Sequence, residues 1–260
     1  MTGLPLPIPH LKSRSGRLDQ ALVERGLCES REKAQRAILA GTVRVNEQLA
    51  RKSSDAVTLT DEITLDAPER YVSRGGYKLE HALEHFQIDP RGLIAVDLGA
   101  STGGFSDCLL QRGAKKVYAV DVGQGQLAWK LRQDSRVIVM EKTNARDLTP
   151  QKFADPFTLA DLVVIDCSFI SLQKVLPAAA GLVQNLGHII ALVKPQFEAG
   201  KSEADKGAGV ISDPSVHARV LREMEDFVRA RAGLIWRGCT ESPLLGPAGN
   251  KEFLVLLEKT

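Results

Sequence analysis

The sequence predicts an α/β protein in which a parallel β-sheet carries helices on both faces, preceded by a small, basic α+β domain. From residue 93 onward, short runs rich in β-branched residues alternate with helical stretches, as is typical of parallel sheets covered on both sides. The first 60 residues differ, because they hold ten Lys or Arg against six Asp or Glu. We therefore expect a front domain over residues 14–67, a linker over 68–76 and a second domain over 77–260.

Composition excludes several classes of protein. The 34 basic and 32 acidic residues give a net charge of only +2, so any contact with nucleic acid must come from a local patch. The four cysteines form no C-x-x-C pair, so we expect no disulfide framework and no metal site, and a reducing cytoplasm fits. Prolines interrupt the N-terminal stretch where a signal peptide needs an apolar helix, and no run of about 18 apolar residues follows. A cytoplasmic protein is expected.

The front domain begins with two short predicted helices. Leu18, Ala21 and Leu22 follow helical spacing and Gly26 ends that helix. Ser30 is then placed to cap a second helix, which runs up to the glycine before the strand-like stretch VRVNE. Helix, helix and strand in this order predict a compact unit.

Basic side chains cluster on the second predicted helix. Lys33 and Arg36 are three residues apart and Arg31 lies in the first turn, which suits contact with a phosphate backbone. A solvated helical face is the alternative interpretation. The segment resembles the S4-type RNA-binding domain, whose features RLDxxL, SRxxA and GxVxVN are all present. The resemblance makes the following residues candidates for RNA binding: Arg17, Arg31, Lys33, Arg36 and Arg44.

Seven strands are predicted in the second domain. Five are LIAVDLG, KVYAVDV, RVIVMEK, LVVIDCS and HIIALVK, accompanied by the helical stretches FSDCLLQRG, QLAWKLRQ and LQKVLPAAAGLV. A long helix, PSVHARVLREMEDFVRARA, precedes the last two strands, GLIWRGCT and KEFLVLLEK. Ligands of such sheets bind at the carboxyl ends of the strands, so the residues there are the candidates for chemistry.

A glycine-rich turn, VDLGASTGGF, ends the first of these strands. Gly99, Gly103 and Gly104 let the backbone approach a ligand, but their spacing matches neither a dinucleotide fingerprint nor a phosphate loop. A turn without a ligand is the alternative. Asp121 closes the next strand about twenty residues later, where a carboxylate can bind both hydroxyls of a ribose. Turn and acid together predict a cofactor that contains a nucleoside.

Dehydrogenases and methyltransferases share these features. A nicotinamide dinucleotide needs a cradle for its pyrophosphate, which this turn lacks in its usual form. S-adenosylmethionine has no phosphate and ends in a zwitterionic amino acid, so the sequence favours it. The order of elements also resembles the class I (Rossmann-like) methyltransferase fold.

Charged residues close the central strands. Asp166 begins DCSF, where amino-directed methyltransferases carry [DN]-P-P-[YF], and both prolines are missing. Lys194 closes the next strand, where a buried lysine is costly unless it is used or paired. A purely structural Asp166–Lys194 ion pair is one interpretation, and a pair facing the methyl donor is the other. A neutral lysine can accept the proton of a ribose hydroxyl, helped by a second cation such as Lys78, and Glu252 could complete the set.

This order of Lys, Asp, Lys and Glu resembles that of the FtsJ-like RNA ribose 2′-O-methyltransferases. With the front domain, residues 14–259 resemble the haemolysin-A-like (TlyA) family of ribosomal RNA ribose methyltransferases, through SRGGYKL, VDLGASTGGFSDCLLQ, VDVGQGQL, KTNAR, DLVVIDCSFISL, LVKPQFE and GNKEFL. The resemblance implies a catalytic set of Lys78, Asp166, Lys194 and Glu252. In it Lys194 accepts the proton, the two carboxylates orient Lys194, and Lys78 polarises the site. The resemblance also implies the following residues around the cofactor, with the asparagine near adenine: Gly99, Ser101, Gly103, Gly104, Phe105, Asp121 and Asn144.

The expected function is therefore transfer of a methyl group from S-adenosylmethionine to a ribose 2′-hydroxyl of ribosomal RNA, free or within ribosomal subunits. A non-catalytic RNA-binding protein and a membrane-acting haemolysin are the alternatives. The sequence opposes lysis, because residues 214–232 mix three acids among their arginines and form no long basic amphipathic helix. We expect no membrane partner, and the sequence indicates no particular oligomeric state.

Overall fold

The computed structural model describes residues 16–66, 69–153, 157–200, 203, 207, 209–231 and 233–260. Its contacts divide the chain into two units, one ending at Arg70 and one beginning at Tyr71. Residues 14, 15, 67 and 68 of the expected front domain and linker lie outside the described residues.

The first unit is a small α+β fold. Its elements are, in order, β1 (Gly16–Arg17), α1 (Leu18–Glu24), α2 (Arg31–Leu39), β2 (Val43–Val45), β3 (Gln48–Leu49), β4 (Ala56–Val57) and β5 (Ile63–Leu65). Strands β3, β2 and β5 form one antiparallel sheet, and β1 pairs with β4. Helix α2 begins where the sequence predicts, because the Ser30 side chain accepts a hydrogen bond from the Lys33 amide. Leu18, Leu22 and Val43 are fully buried in its core.

The second unit contains a seven-stranded sheet. Its helices are α3 (Gly75–His85), α4 (Gly104–Gln111), α5 (Trp129–Arg132), α6 (Leu176–Leu182), α7 (Pro195–Glu198) and α8 (Pro214–Arg231). Its strands are β6 (Ile94–Leu98), β7 (Lys116–Val120), β8 (Val137–Met140), β9 (Ala160–Ile165), β10 (Val183–Val193), β11 (Leu234–Glu241) and β12 (Phe253–Lys259). The order across the sheet is β11-β12-β10-β9-β6-β7-β8. Strand β12 is antiparallel to both of its neighbours, β10 and β11, and the other described pairs are parallel.

Both faces of this sheet are covered, as the sequence predicts. On central strand β9, Val163 and Ile165 pack in one layer with residues of α6 and α8. Leu162 and Val164 point to the other layer, which includes residues of α3 and α4. All four side chains are completely buried, so continuous apolar runs, rather than alternating ones, are what this strand requires.

Two helices depart from the sequence prediction. The stretch QLAWKLRQ forms only one helical turn, because the Ala128 amide donates to the Thr102 carbonyl of the glycine turn and holds the residues before it out of the helix. Helix α3 begins at Gly75, inside the stretch expected as a linker over residues 68–76, and was not predicted as a helix. Lys78 therefore lies on a helix that packs against α4.

Candidate active site

The carboxyl ends of four neighbouring parallel strands meet at one edge of the sheet. Gly99 follows β6, Asp121 follows β7, Asp166 follows β9 and Lys194 follows β10. A cavity of about 910 Å³ lies at this edge, and a smaller one of about 270 Å³ shares part of its wall. The shared wall consists of Gly99, Ser101, Asp166 and Ser168.

The glycine turn packs so tightly that side chains are excluded from it. Gly99 has a φ of +89°, and a Cβ there would lie 2.7 Å from the carbonyl oxygen of Asp166. Gly103 has a φ of +97° at the N-cap of α4, and a Cβ there would lie 2.2 Å from Leu131 Cδ1. Both positions therefore require glycine, through backbone conformation as well as space. The result is a bare backbone at the cavity edge.

The predicted cofactor residues divide between the two cavities. The larger cavity is lined by Gly99, Ser101, Asp121 and Asn144 of that set. The smaller cavity is lined by Gly99, Ser101, Gly104 and Phe105. Gly103 does not occur in the described lining of either cavity. It lies at the N-cap of α4 and packs against Leu131.

Backbone amides fix the two polar side chains of the larger cavity. Asp121 accepts hydrogen bonds of 2.7 Å from the Ser101 amide and from the Gly123 amide, one on each carboxylate oxygen. Asn144 Oδ1 accepts one of 3.1 Å from the Arg146 amide. Each oxygen keeps a further lone pair, so both side chains are oriented and still able to bind a ligand.

All four predicted catalytic residues line the smaller cavity, where they form two ion pairs. Lys78 Nζ lies 2.5 Å from Glu252 Oε2, and Lys194 Nζ lies 2.7 Å from Asp166 Oδ1. The side chains of Glu252 and Lys194 are only 1% and 9% exposed. The structure thus brings together residues that are up to 174 positions apart in sequence.

The Lys194–Asp166 contact is a charge contact rather than an aligned hydrogen bond. Lys194 Nζ directs its hydrogen bond to Ser168 Oγ, at 2.8 Å. Asp166 Oδ1 is buried and has no hydrogen-bond partner among the described residues. The charge of this oxygen is met by the Lys194 ammonium group, although no aligned hydrogen bond reaches it.

Asp97 adds a third acid beneath the glycine turn. It is completely buried, and its Oδ2 accepts hydrogen bonds from the Ser106 amide at 3.0 Å and the Ser106 hydroxyl at 2.6 Å. Its Oδ1 has no hydrogen-bond partner within the described part of the chain. Burial raises the pKa of Asp97 to about 7, and the charges of Asp166 and Asp121 act in the same direction. Asp166 is paired with Lys194, so the negative charge that this edge offers a ligand comes from Asp121 at the cavity wall and from Asp97 when it is ionised.

Phe169 and Ser168 were not predicted as site residues from the sequence, nor was Glu198, which supports the segment that carries them. Phe169 lines the larger cavity, is 92% exposed and has a φ of +63°. Ser168 binds Lys194, and Glu198 binds the segment that carries both residues. The stretch DCSFISL did contain a signal for Phe169, since an aromatic residue follows the strand-end acid Asp166 by three positions. Without the two prolines, however, the stretch did not predict a turn of fixed conformation.

Each predicted RNA-binding residue of the first unit lies next to an acid. The pairs are Arg17 and Arg31 with Asp19, Lys33 with Glu29, Arg36 with Glu32, and Arg44 with Asp66. Asp19 is fully buried, and its hydrogen bond from Arg17, with others from Gln35 and Arg31, holds its pKa well below the usual range. Asp19 thereby fixes two guanidinium groups whose side chains are 42% and 52% exposed. The other three pairs are exposed surface pairs, which are weak in general.

The described residues contain no group of three or more His, Cys, Asp or Glu side chains arranged to hold a metal ion. No helix in that part of the chain is long and apolar enough to cross a membrane.

Comparison with known proteins matches both units. Residues 71–259 match the FtsJ-like methyltransferase family, and residues 16–63 match the S4 domain. The Bacillus subtilis protein YqxC is 50% identical over 248 residues, covering 95% of this chain and 87% of that protein. The 16S/23S rRNA (cytidine-2′-O)-methyltransferase TlyA of Mycobacterium tuberculosis is 47% identical over 249 residues, covering 94% and 90%. A solved structure from Streptococcus thermophilus is 44% identical with a TM-score of 0.72, covering 95% of this chain and 89% of that one.

These matches agree with the fold. The FtsJ-like match spans the seven-stranded sheet with both cavities, and the S4 match spans most of the small unit. The relatives of about 50% identity extend across both units. The chain belongs to the FtsJ-like methyltransferase family, among the TlyA-type enzymes that carry an S4 domain in front of the methyltransferase domain.

Proposed function

We propose that this enzyme transfers the methyl group of S-adenosylmethionine to a ribose 2′-hydroxyl of ribosomal RNA. The observation that carries the proposal is the arrangement of Lys78, Asp166, Lys194 and Glu252 in one small cavity that adjoins the larger one. The Mycobacterium tuberculosis relative is named for the cytidine 2′-oxygen of 16S and 23S rRNA. A cytidine of ribosomal RNA is accordingly the proposed acceptor, and the cytoplasm, where ribosomes are, is the proposed location.

S-adenosylmethionine suits the larger cavity in size and charge. Its volume of about 910 Å³ accommodates a nucleoside with an amino-acid tail. Asp121 would bind the ribose hydroxyls and Asn144 would lie near the adenine. The Asp121 carboxylate in the cavity wall and the buried Oδ1 of Asp97, which has no hydrogen-bond partner among the described residues, favour a ligand with positive charge. When bound, S-adenosylmethionine supplies an electrophilic methyl group on a positively charged sulfur.

Lys194 is the proposed acceptor of the proton from the attacking 2′-hydroxyl, a role that requires its ammonium group first to release a proton to solvent and become a neutral amine. Asp166 and Ser168 hold its Nζ at 2.7 and 2.8 Å, on the wall that the two cavities share. Lys78, held by Glu252, contributes positive charge to the same cavity and would stabilise negative charge that develops on the 2′-oxygen. The hydroxyl would thus enter the small cavity and face the methyl group in the large one.

The state of Cys167 favours ribose over base methylation. Cys167 lines the larger cavity and could in principle attack a pyrimidine ring. Burial, with the nearby Asp166 charge, raises the pKa of its thiol to about 12. The thiol is therefore protonated at neutral pH, where the thiolate is the reactive form.

Phe169 is the proposed stacking surface for the target nucleotide. Its ring lies at the larger cavity, 5.4 Å from the ring of Phe197, and is almost fully exposed. Stacking of a base on an aromatic side chain contributes about 1–3 kcal/mol. A nucleotide placed there would lie next to Asp166 and Lys194.

The S4 domain is proposed to bind RNA through phosphates. Arg17 and Arg31 are held by Asp19 and keep further N–H donors, whereas Arg36 can exchange its exposed acidic partner for a phosphate. We expect Arg31→Ala combined with Arg36→Ala to weaken RNA binding. The decrease of log affinity with log salt concentration should also become less steep, by about 2 in slope. An unchanged slope would mean that this helix is only a solvated face.

The function is tested by transfer of labelled methyl from S-adenosylmethionine to naked ribosomal RNA, separate subunits and whole ribosomes that lack the modification. Lys194→Ala should abolish transfer while retaining cofactor binding by calorimetry. Lys251→Ala, which removes an exposed lysine next to Glu252, is the matched control and should behave as wild type. If the label lies at one site and the adjacent phosphodiester resists alkaline cleavage, the methyl group is on the ribose 2′-oxygen.

Two results would contradict the proposal. If Lys194→Ala transferred methyl groups at the wild-type rate, Lys194 could not be the proton acceptor. If digestion of the RNA to nucleosides showed the label on a base, the acceptor would be that base and not the ribose.

A further inference from the structure

Two segments that follow neighbouring strands are fastened together beside the larger cavity. One is the segment that follows β9 and carries Ser168 and Phe169, and the other consists of Lys194 and helix α7. Lys194 binds Ser168, and the Phe169 ring contacts that of Phe197. A third connection, through Glu198, lies further along both segments.

Glu198 uses both carboxylate oxygens for this connection. Its Oε2 accepts a hydrogen bond of 2.7 Å from the Ser171 hydroxyl, and its Oε1 accepts one of 2.7 Å from the Leu172 amide. Hydrogen bonds to an ionised acceptor are about twice as strong as those between neutral groups. Burial raises the pKa of Glu198, and the two hydrogen bonds oppose that effect. Glu198 is absent from the described lining of both cavities, so its influence on the site must pass through the segment it binds.

The bound segment contains an unfavourable backbone conformation. Phe169 has a φ of +63°, in the left-handed region that bulky side chains rarely adopt. Its ring is 92% exposed, so burial does not hold it there. The polar connections lie on either side of it, with Ser168 bound by Lys194 and Ser171 bound by Glu198. Loss of the Glu198 connection would leave the segment free to relax and the ring free to turn from the cavity.

We infer that Glu198 is a positioning residue for the RNA substrate, which holds residues 168–172 so that the Phe169 ring meets the base of the target nucleotide. The inference rests on the proposed function, because a stacking surface matters only if a nucleotide enters there. Glu198 contacts neither Asp121 nor Asn144 in the described hydrogen-bond network, so its removal should affect use of RNA and leave use of the cofactor unchanged.

The test compares steady-state methyl transfer to ribosomal RNA by wild type, Glu198→Ala, Glu198→Gln and the control Glu223→Ala, an exposed acid of α8. Glu198→Ala should raise KM for RNA about tenfold, as expected for loss of a charged hydrogen-bond acceptor. KM for S-adenosylmethionine should not change. Glu198→Gln keeps an acceptor for the Leu172 amide and should restore most of the loss. The control should match wild type.

A double-variant cycle separates positioning from a general structural role. If Glu198 acts through the ring, Glu198→Ala should add little to the rise in KM already caused by Phe169→Ala. If the two substitutions acted independently, their fold increases in KM for RNA would multiply instead. Should Glu198→Ala fail to fold, Ser171→Ala removes one of the two hydrogen bonds and serves in the same cycle with a smaller expected rise.

The outcomes distinguish the two proposals. A wild-type enzyme that does not methylate ribosomal RNA overturns the proposed function and this inference together. An active wild type with unchanged Glu198→Ala kinetics overturns only the inference. So does a variant in which KM for RNA and for S-adenosylmethionine rise together, with effects that multiply with those of Phe169→Ala.

Discussion

Replacement of Asp97 by Asn should change how the stability of the methyltransferase domain depends on pH. Asp97 is completely buried, and burial raises its pKa from an ordinary value near 4 to about 7. Between these pH values the folded protein binds a proton that the unfolded chain does not. The contribution of Asp97 to stability is therefore fully present below pH 4 and is lost as pH rises toward 7.

The size of the effect follows from the two pKa values. Each pH unit over which the folded and unfolded states differ by one proton corresponds to about 1.4 kcal/mol. Integration from pH 4.5 to 7.5 with an ordinary pKa near 4 and a folded pKa of about 7 gives about 3 kcal/mol. Asn cannot ionise and keeps an oxygen for Ser106, so Asp97→Asn should gain this amount relative to wild type over that range.

Urea unfolding followed by tryptophan fluorescence measures this difference, because Trp129 and Trp236 both lie in the second unit. The matched control is Asp134→Asn. Arg136 holds the pKa of Asp134 below its usual range, so that the contribution of Asp134 is lost only as pH falls below 4 and is constant from 4.5 to 7.5. Parallel stability curves for wild type and Asp97→Asn across this range would refute an elevated pKa for Asp97.

Three further substitutions probe other parts of the structure. Gly103→Ala should destabilise the second unit by about 1–3 kcal/mol in urea and weaken cofactor binding by calorimetry, because a Cβ would collide with Leu131 at a φ of +97°. Lys78→Met should cost about 3–5 kcal/mol in urea at pH 7, since Glu252 is 1% exposed and would be left buried without its cation. Asp19→Asn should destabilise the first unit by about 1.5–3 kcal/mol at pH 7, and this loss should shrink progressively as pH falls below 4 toward the lowered pKa of the folded carboxylate. That unit contains no aromatic residue up to Arg70, so hydrogen exchange of residues 16–66 is the suitable measurement.

The sheet could be predicted from the sequence because its strands are marked by local patterns. Seven apolar runs gave the seven strands, and glycine spacing located the turn at Gly99 and Gly103. The position of β12 between β10 and β11 could not be derived from these runs, since strand order depends on contacts between distant segments. The pairing of Lys78 with Glu252, 174 residues apart, is a consequence of that order and of helix α3. This pairing was not predicted, because the resemblance implied that Glu252 orients Lys194, whereas Glu252 contacts Lys78.

Local charge counting was less informative for the first unit. The excess of basic residues suggested a patch, yet Lys33 and Arg36 each lie four residues after the glutamate they contact. That spacing was available in the sequence and predicts helical ion pairs. The role of Asp19 was not available, because its contact with Arg31 arises from packing of α1 against α2. The Glu198–Ser171 connection is equally non-local, spanning two strand ends.

The distribution of charge around the cavities bears on how the proposed methyl donor would bind and how its product would leave. In the small cavity two lysines and two carboxylates balance, so a neutral hydroxyl can enter without opposition. The large cavity adds Asp121 at its wall and Asp97 beneath, whereas its cations, Arg146 and Lys174, are exposed to solvent, where charge is screened. Under the proposed function, a positively charged methyl donor would therefore be attracted and would draw Asp97 toward its ionised form. Transfer of the methyl group removes that positive charge, so the product loses the attraction that the substrate had, and its release is favoured.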